Sequence, residues 1–191
     1  MDEAVYSQKQ SDRRVWARPG EAVYRNKVGF RAVAVVAAVD VDGAVPYTLM
    51  REGAIDQDAF IDFLEGLRDR IAVPREQEIV LLVDNLAVHR THRVRARSAV
   101  LKVRLLFNAP YSSEYNPIER LWAWSKQLWR SACLDMRDFK RPELIRRSIC
   151  DALDRVASEA LARHVRRCLW DMRDWLTANA VPYNNNPERP R

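Results

Sequence analysis

Residues 79 to 89 read IVLLVDNLAVH, and the first five of them decide the fold. An apolar run without alternation suits a strand buried on both faces. Asp84-Asn85 then falls at its carboxyl end, the edge of an open sheet where polar ligands bind. Upstream, Phe60, Phe63, Leu64 and Leu67 recur at helical spacing in a segment from about Asp56 to Arg70, with Asp56 as N-cap and Pro74 in the loop beyond. Downstream, a basic helix over roughly 87–98 leads to a strand near 100–107 (VLKVRLLF), which predicts a parallel pair with a right-handed crossover.

Further out, residues 30–39 (FRAVAVVAAV) are apolar and β-branched, Asp42-Gly43 marks a tight turn, and residues 44–50 (AVPYTLM) return as the second arm of a hairpin. Asp40 and Asp42 are read as turn residues. The chain from Pro117 to about Ala180 reads as three helices, and residues 181–191 as a disordered tail. The expected fold class is α/β: a mixed sheet flanked by helices, forming one domain over residues 1–180. A chain of 191 residues can bury one sizeable core and is too short to argue for two full domains.

Charge points to a polyanionic partner. The net charge is +6, and residues 85–113 contain Arg90, Arg93, Arg95, Arg97, Lys102 and Arg104 with no acidic residue, so this stretch carries the whole excess. Cys133, Cys150 and Cys168 are odd in number and far apart, which indicates neither a disulfide framework nor a zinc site and fits a reducing cytosol. The start, MDEAVYSQKQ, has no basic n-region or apolar h-region, and the longest apolar run, Ala32 to Val39, is far shorter than a membrane span. A cytoplasmic protein without a membrane partner is expected.

Residues 107–122 read FNAPYSSEYNPIERLW. Asn116 can cap a helix, Pro117 can take its first position and Glu119 falls in its first turn. Taken alone this is a capping-box arrangement with a glutamate at the positive end of a helix dipole. Its weight changes beside the first stretch, because 34 residues lie between Asp84 and Glu119.

That combination resembles the mariner-like superfamily of DDE transposases, above all its bacterial insertion-sequence branch. Asp84-Asn85, His89, Pro110-Tyr111-Ser112, Asn116-Pro117-Ile118-Glu119 and Leu121-Trp122 carry the resemblance, and Asp2-Glu3, Tyr6 and Trp16…Gly20 match the family's first acidic element. It covers residues 2 to about 130. Ser113 stands where the family commonly has proline, and Glu114 beside it is a rival acidic residue; a helical first turn fixes Glu119 better than a loop would fix Glu114.

The resemblance implies a ribonuclease H-like catalytic domain for DNA strand cleavage and strand transfer. It implies Asp2, Asp84 and Glu119 as catalytic residues and ligands of two divalent ions, Mg²⁺ or Mn²⁺, acting on water or a DNA 3′-hydroxyl. Double-stranded DNA, as transposon ends and target, is the implied partner, with a homodimer and a separately encoded helix-turn-helix domain as further candidates. Arg90, Arg93, Arg97 and Lys126 are the candidate DNA contacts, and His89 and His92 could approach DNA or support the site. Ile118, Leu121, Trp122, Ser125 and Trp129 form a mainly apolar stripe, so the tryptophans are read as core. Met1 stands one residue before Asp2, so the first strand is expected to be missing at the N-terminus and the chain alone to cleave poorly. The alternative reading is a catalytically inactive or truncated transposase-derived DNA-binding protein.

Overall fold

The computed structural model describes residues 1–7, 18–21, 31–108, 115–135, 141–156 and 159–178. Trp16, the Pro110-Tyr111-Ser112 segment, Ser113, Glu114 and the expected tail at 181–191 lie outside them. In chain order the elements are β1 (Asp2–Tyr6), β2 (Val33–Ala37), β3 (Thr48–Glu52), α1 (Gln57–Arg70), β4 (Ile79–Val83), a short 3₁₀ helix (Ala87–Arg90), α2 (His92–Val100), β5 (Val103–Phe107), α3 (Ile118–Asp135), α4 (Pro142–Val156) and α5 (Glu159–Ala178).

A short strand runs over Asp2–Tyr6, so Asp2 does have a strand to carry it. Residues 2–6 pair antiparallel with β2 along their whole length, from Asp2 opposite Ala37 to Tyr6 opposite Val33. Ala4 and Tyr6 alternate into the core, and that alternation holds the register. β2 also pairs antiparallel with β3, while β4 and β5 form a separate parallel pair. The mixed sheet therefore appears, among the described residues, as a three-stranded and a two-stranded piece. The Met1 ammonium links them by donating to the Leu82 carbonyl at 2.7 Å.

β2 is the central strand because both of its faces are apolar. Val33, Val35 and Ala37 pack with Ile118, Leu121, Trp129 and residues of α4 and α5; Val36 and Ala38 pack with Phe60, Phe63 and Leu64 of α1 and with Leu81 and Val83 of β4. Burying one such side chain contributes roughly 1.5–3 kcal/mol, so helices on both faces follow from this one strand.

α1 forms as read. The Asp56 carboxylate accepts from the Ala59 amide at 2.8 Å, and Phe60, Phe63, Leu64 and Leu67 form the buried stripe. Arg68 is buried with them and donates to the Pro74 and Gln77 carbonyls at 2.6 and 3.1 Å, fixing the loop that leads into β4. The hairpin's second arm starts at Thr48, later than expected. Asp40 Oδ1 accepts from the Asp42 and Ala44 amides at 3.0 and 2.8 Å and so holds Ala44 in the turn. The basic helix is split at Thr91, whose hydroxyl caps α2. The strand near 100–107 begins only at Val103, because Lys102 takes φ +56° and turns the chain out of α2.

Candidate active site

Asp84 lies just past the carboxyl end of β4. Its Oδ1 accepts from the Leu86 amide at 3.1 Å and stands 2.8 Å from Nδ1 of His89. Burial would raise this carboxyl, but His89 and the Leu86 amide hold it below its ordinary value. Asn85 braces the strand ends, since its side-chain amide donates to the Asn108 carbonyl while the Asn108 amide donates to Val83. Arg90 turns back to bond the Asn85 side-chain oxygen and lies over the Phe107 ring, 4.6 Å from its centroid.

Asp2 is tied to both other carboxylate-bearing elements. Its neighbour Met1 reaches Leu82, two residues before Asp84, and its own Oδ2 accepts from Nε1 of Trp122 at 3.1 Å. Trp122 stands three residues after Glu119, almost one helical turn along α3. Burial, helped by the charges of Glu119 and Asp84 and opposed by the bonds from the Glu3 amide and Trp122, pushes Asp2 up to about 6. Burial also lowers the Met1 amine to about 6, with Asp2 and Asp84 opposing. Three carboxylates thus share one electrostatic neighbourhood, although among the described residues no three His, Cys, Asp or Glu side chains form a ready-made metal cluster.

Glu119 is exposed in the first turn of α3, as read. The Asn116 side chain does not cap: the Glu119 amide donates to the Asn116 backbone carbonyl at 3.1 Å, and the buried Asn116 Oδ1 has no hydrogen-bond partner. Lys126 is half-buried on the same helix, with Nζ 5.9 Å from the Tyr6 ring centroid. Burial and Arg130 lower its pKa, and Glu119 and Asp2 oppose that shift.

The arginines diverge. Arg90 sits near Asp84, whereas Arg93 pairs with Asp58 at 2.9 Å and Arg97 with Glu65 at 2.6 Å, both on α1. Arg104 pairs with Glu78 at 3.2 Å. His92 is exposed at the start of α2, and Trp122 and Trp129 are core residues, as the apolar stripe predicts. Sequence reading gave Glu3 no role, yet its carboxylate lies 3.2 Å from Nε2 of the fully buried His89. The only sequence signal was its place beside Asp2.

The family model described as DDE superfamily endonuclease matches residues 1–140. Mos1 transposase, in a paired-end complex with the left transposon end, superposes with a TM-score of 0.66 at 16% identity over 96% of this chain and 55% of that one. The Mos1 catalytic domain with Raltegravir and Mg gives 0.53 at 17% identity over 73% of this chain and 75% of that one. A chain of the simian T-cell lymphotropic virus intasome gives 0.55 at 14% identity over 80% and 45%. A sequence search of curated proteins finds no match. The structural likenesses establish the ribonuclease H-like fold, and this chain spans about half the length of the Mos1 chain in the paired-end complex. With residues 1–140 matched, and Asp2, Asp84 and Glu119 all among them, the chain belongs to the DDE superfamily of endonucleases.

Proposed function

We propose that this chain is the catalytic domain of a DNA transposase that cuts and joins DNA strands, with Asp2, Asp84 and Glu119 holding two divalent cations, Mg²⁺ or Mn²⁺. The observation that carries the reading is the placement of Asp2 between the other two: Met1 reaches the Asp84 strand and Trp122 ties Asp2 to the Glu119 helix. The donor set fits the metal, because hard oxygen ligands suit Mg²⁺ and a carboxyl raised by burial and two like charges is one that a cation would return to its ionised form. The Mos1 catalytic domain is known with Mg and with Mn, which supports the same choice here.

Two cations at these carboxylates would activate a water or 3′-hydroxyl and stabilise the departing oxygen of an in-line displacement at phosphorus. The chain's own residues supply direction and charge. Trp122 orients Asp2, and the Leu86 amide and His89 orient Asp84. Lys126 and Arg90 flank them and supply positive charge for the phosphodiester backbone. Arg93 and Arg97 sit in exposed ion pairs, which are weak enough to exchange a carboxylate for a phosphate. Double-stranded DNA is the substrate, and the Asn116-Pro117-Ile118-Glu119 block supports the bacterial insertion-sequence branch.

Nicking of supercoiled plasmid in Mn²⁺ tests the proposal. The 191-residue chain should nick, and Asp84→Asn or Glu119→Gln should not. A second reading, a DNA-binding descendant that no longer cuts, draws support from the lack of a ready-made metal cluster among the described residues. Salt-sensitive DNA binding without any nicking would favour it.

A further inference from the structure

His89 sits in the 3₁₀ helix after β4, with no exposed surface. Its two ring nitrogens face two different carboxylates: Nε2 lies 3.2 Å from Glu3 Oε1 on β1, and Nδ1 lies 2.8 Å from Asp84 Oδ1 past β4. The Phe60 ring of α1 packs against the imidazole at 4.2 Å between centroids. The ring is therefore held by a hydrogen bond to Glu3 at Nε2, by a close approach to Asp84 at Nδ1 that lacks hydrogen-bond alignment, and by an aromatic ring beside it.

We infer that His89 is a positioning residue that clamps Glu3 and Asp84 together and fixes the direction in which Asp84 presents its carboxylate to a divalent cation. The inference rests on the proposed metal-dependent function. The Leu86 amide bonds the same Oδ1 that His89 faces, so Asp84 is pinned through one oxygen and offers the other. Neighbouring residues of a strand point to opposite faces. Asp2 turns to Trp122 on α3, and Glu3 turns to His89 on the side of α1. The clamp thus joins β1 to the Asp84 strand end without touching Asp2. Partners behind a metal ligand typically alter metal affinity by about 10–100-fold when removed.

The test uses the full chain and Mn²⁺ alone, with affinity read from the free-ion electron paramagnetic resonance signal and folding from thermal melts without metal. An asparagine amide can take the place of Nδ1 and a glutamine amide that of Nε2. His89→Asn should therefore keep the Asp84 contact, give up only the Glu3 one and bind several-fold more weakly than the unmodified chain, while His89→Gln and His89→Ala should lose about 10–100-fold. Equal affinity in the glutamine and asparagine variants, with Asp84→Asn strongly weakened, would overturn the clamp and leave the metal site standing. If Asp84→Asn binds Mn²⁺ as the unmodified chain does, the underlying reading fails instead, and the clamp with it. Should the His89 variants not fold, Glu3→Ala carries the test: several-fold weaker Mn²⁺ binding supports the clamp, and unchanged binding overturns it.

Discussion

The Trp122 indole donates its Nε1 proton to Asp2 Oδ2 at 3.1 Å, joining α3 to the first residue of β1 across 120 positions of sequence. A tryptophan that is core by burial thereby also orients a carboxylate of the site. Trp122→Phe keeps most of the ring volume and removes the donor. Urea unfolding should show a loss of about 1 kcal/mol, and Mn²⁺-dependent nicking should fall about 10–100-fold. Nicking at the unmodified rate would mean that the bond does not serve the site.

Gly43 takes φ +78° in the β2–β3 hairpin turn, and a Cβ there would stand 2.5 Å from the Ala162 backbone nitrogen on α5. Only glycine meets both demands. Gly43→Ala should destabilise by roughly 2–4 kcal/mol, combining strained backbone with overpacking against a helix that cannot yield. Chemical denaturation measures this, and a loss under about 0.5 kcal/mol, the range of ordinary surface changes, would show that α5 shifts freely.

Tyr6 is fully buried, its hydroxyl 2.7 Å from Ser125 Oγ and its ring edge-on to Trp129. Burial pushes its hydroxyl up to about 12, against the bond to Ser125, from an ordinary value of 10. The unfolded chain loses this proton near pH 10 and the folded chain only near 12, so the contribution is complete below pH 10 and is lost as pH rises to 12. At 1.36 kcal/mol per unit the loss approaches roughly 2.7 kcal/mol. Tyr6→Phe should flatten the fall in stability over that window, and an identical fall in the variant would assign it to other groups.

Where the signal is local, the fold was legible. The stripe Phe60, Phe63, Leu64, Leu67 with its Asp56 cap specifies α1 without outside help, and the run at residues 79–83 specifies β4. β1 was not legible, because DEAVY is short and charged and becomes a strand only through its register with β2, some thirty residues on. The start of β3 was misplaced because one carboxylate, Asp40, holds Ala44 in the turn. Of the candidate site, Asp84 and Glu119 were picked out by spacing and resemblance and Asp2 by resemblance. Glu3, Trp122 and the pairing of Arg93 and Arg97 with α1 depend on contacts between elements far apart in sequence, which periodicity cannot report.

Arg90, Arg93 and Arg97 should still meet phosphate when DNA is present, since an exposed ion pair contributes about 0–1 kcal/mol and DNA offers denser charge. Replacing all three by alanine should reduce the slope of log K against log salt by about 0.9 for each phosphate that the variant no longer neutralises. Fluorescence anisotropy at several salt concentrations measures the slope. An unchanged slope would show that Asp58 and Glu65 keep their partners and that α2 faces away from DNA.

The most direct test of the carboxylate site is a nicking series on supercoiled plasmid in Mn²⁺, comparing the unmodified chain with Asp2→Asn, Asp84→Asn and Glu119→Gln, and with Glu65→Gln as a control on α1. Thermal melts establish that each variant is folded. Nicking should fall to background in the first three and persist in the control. Persistent nicking by a folded Asp84→Asn or Glu119→Gln variant would contradict the assignment of these carboxylates as the catalytic centre.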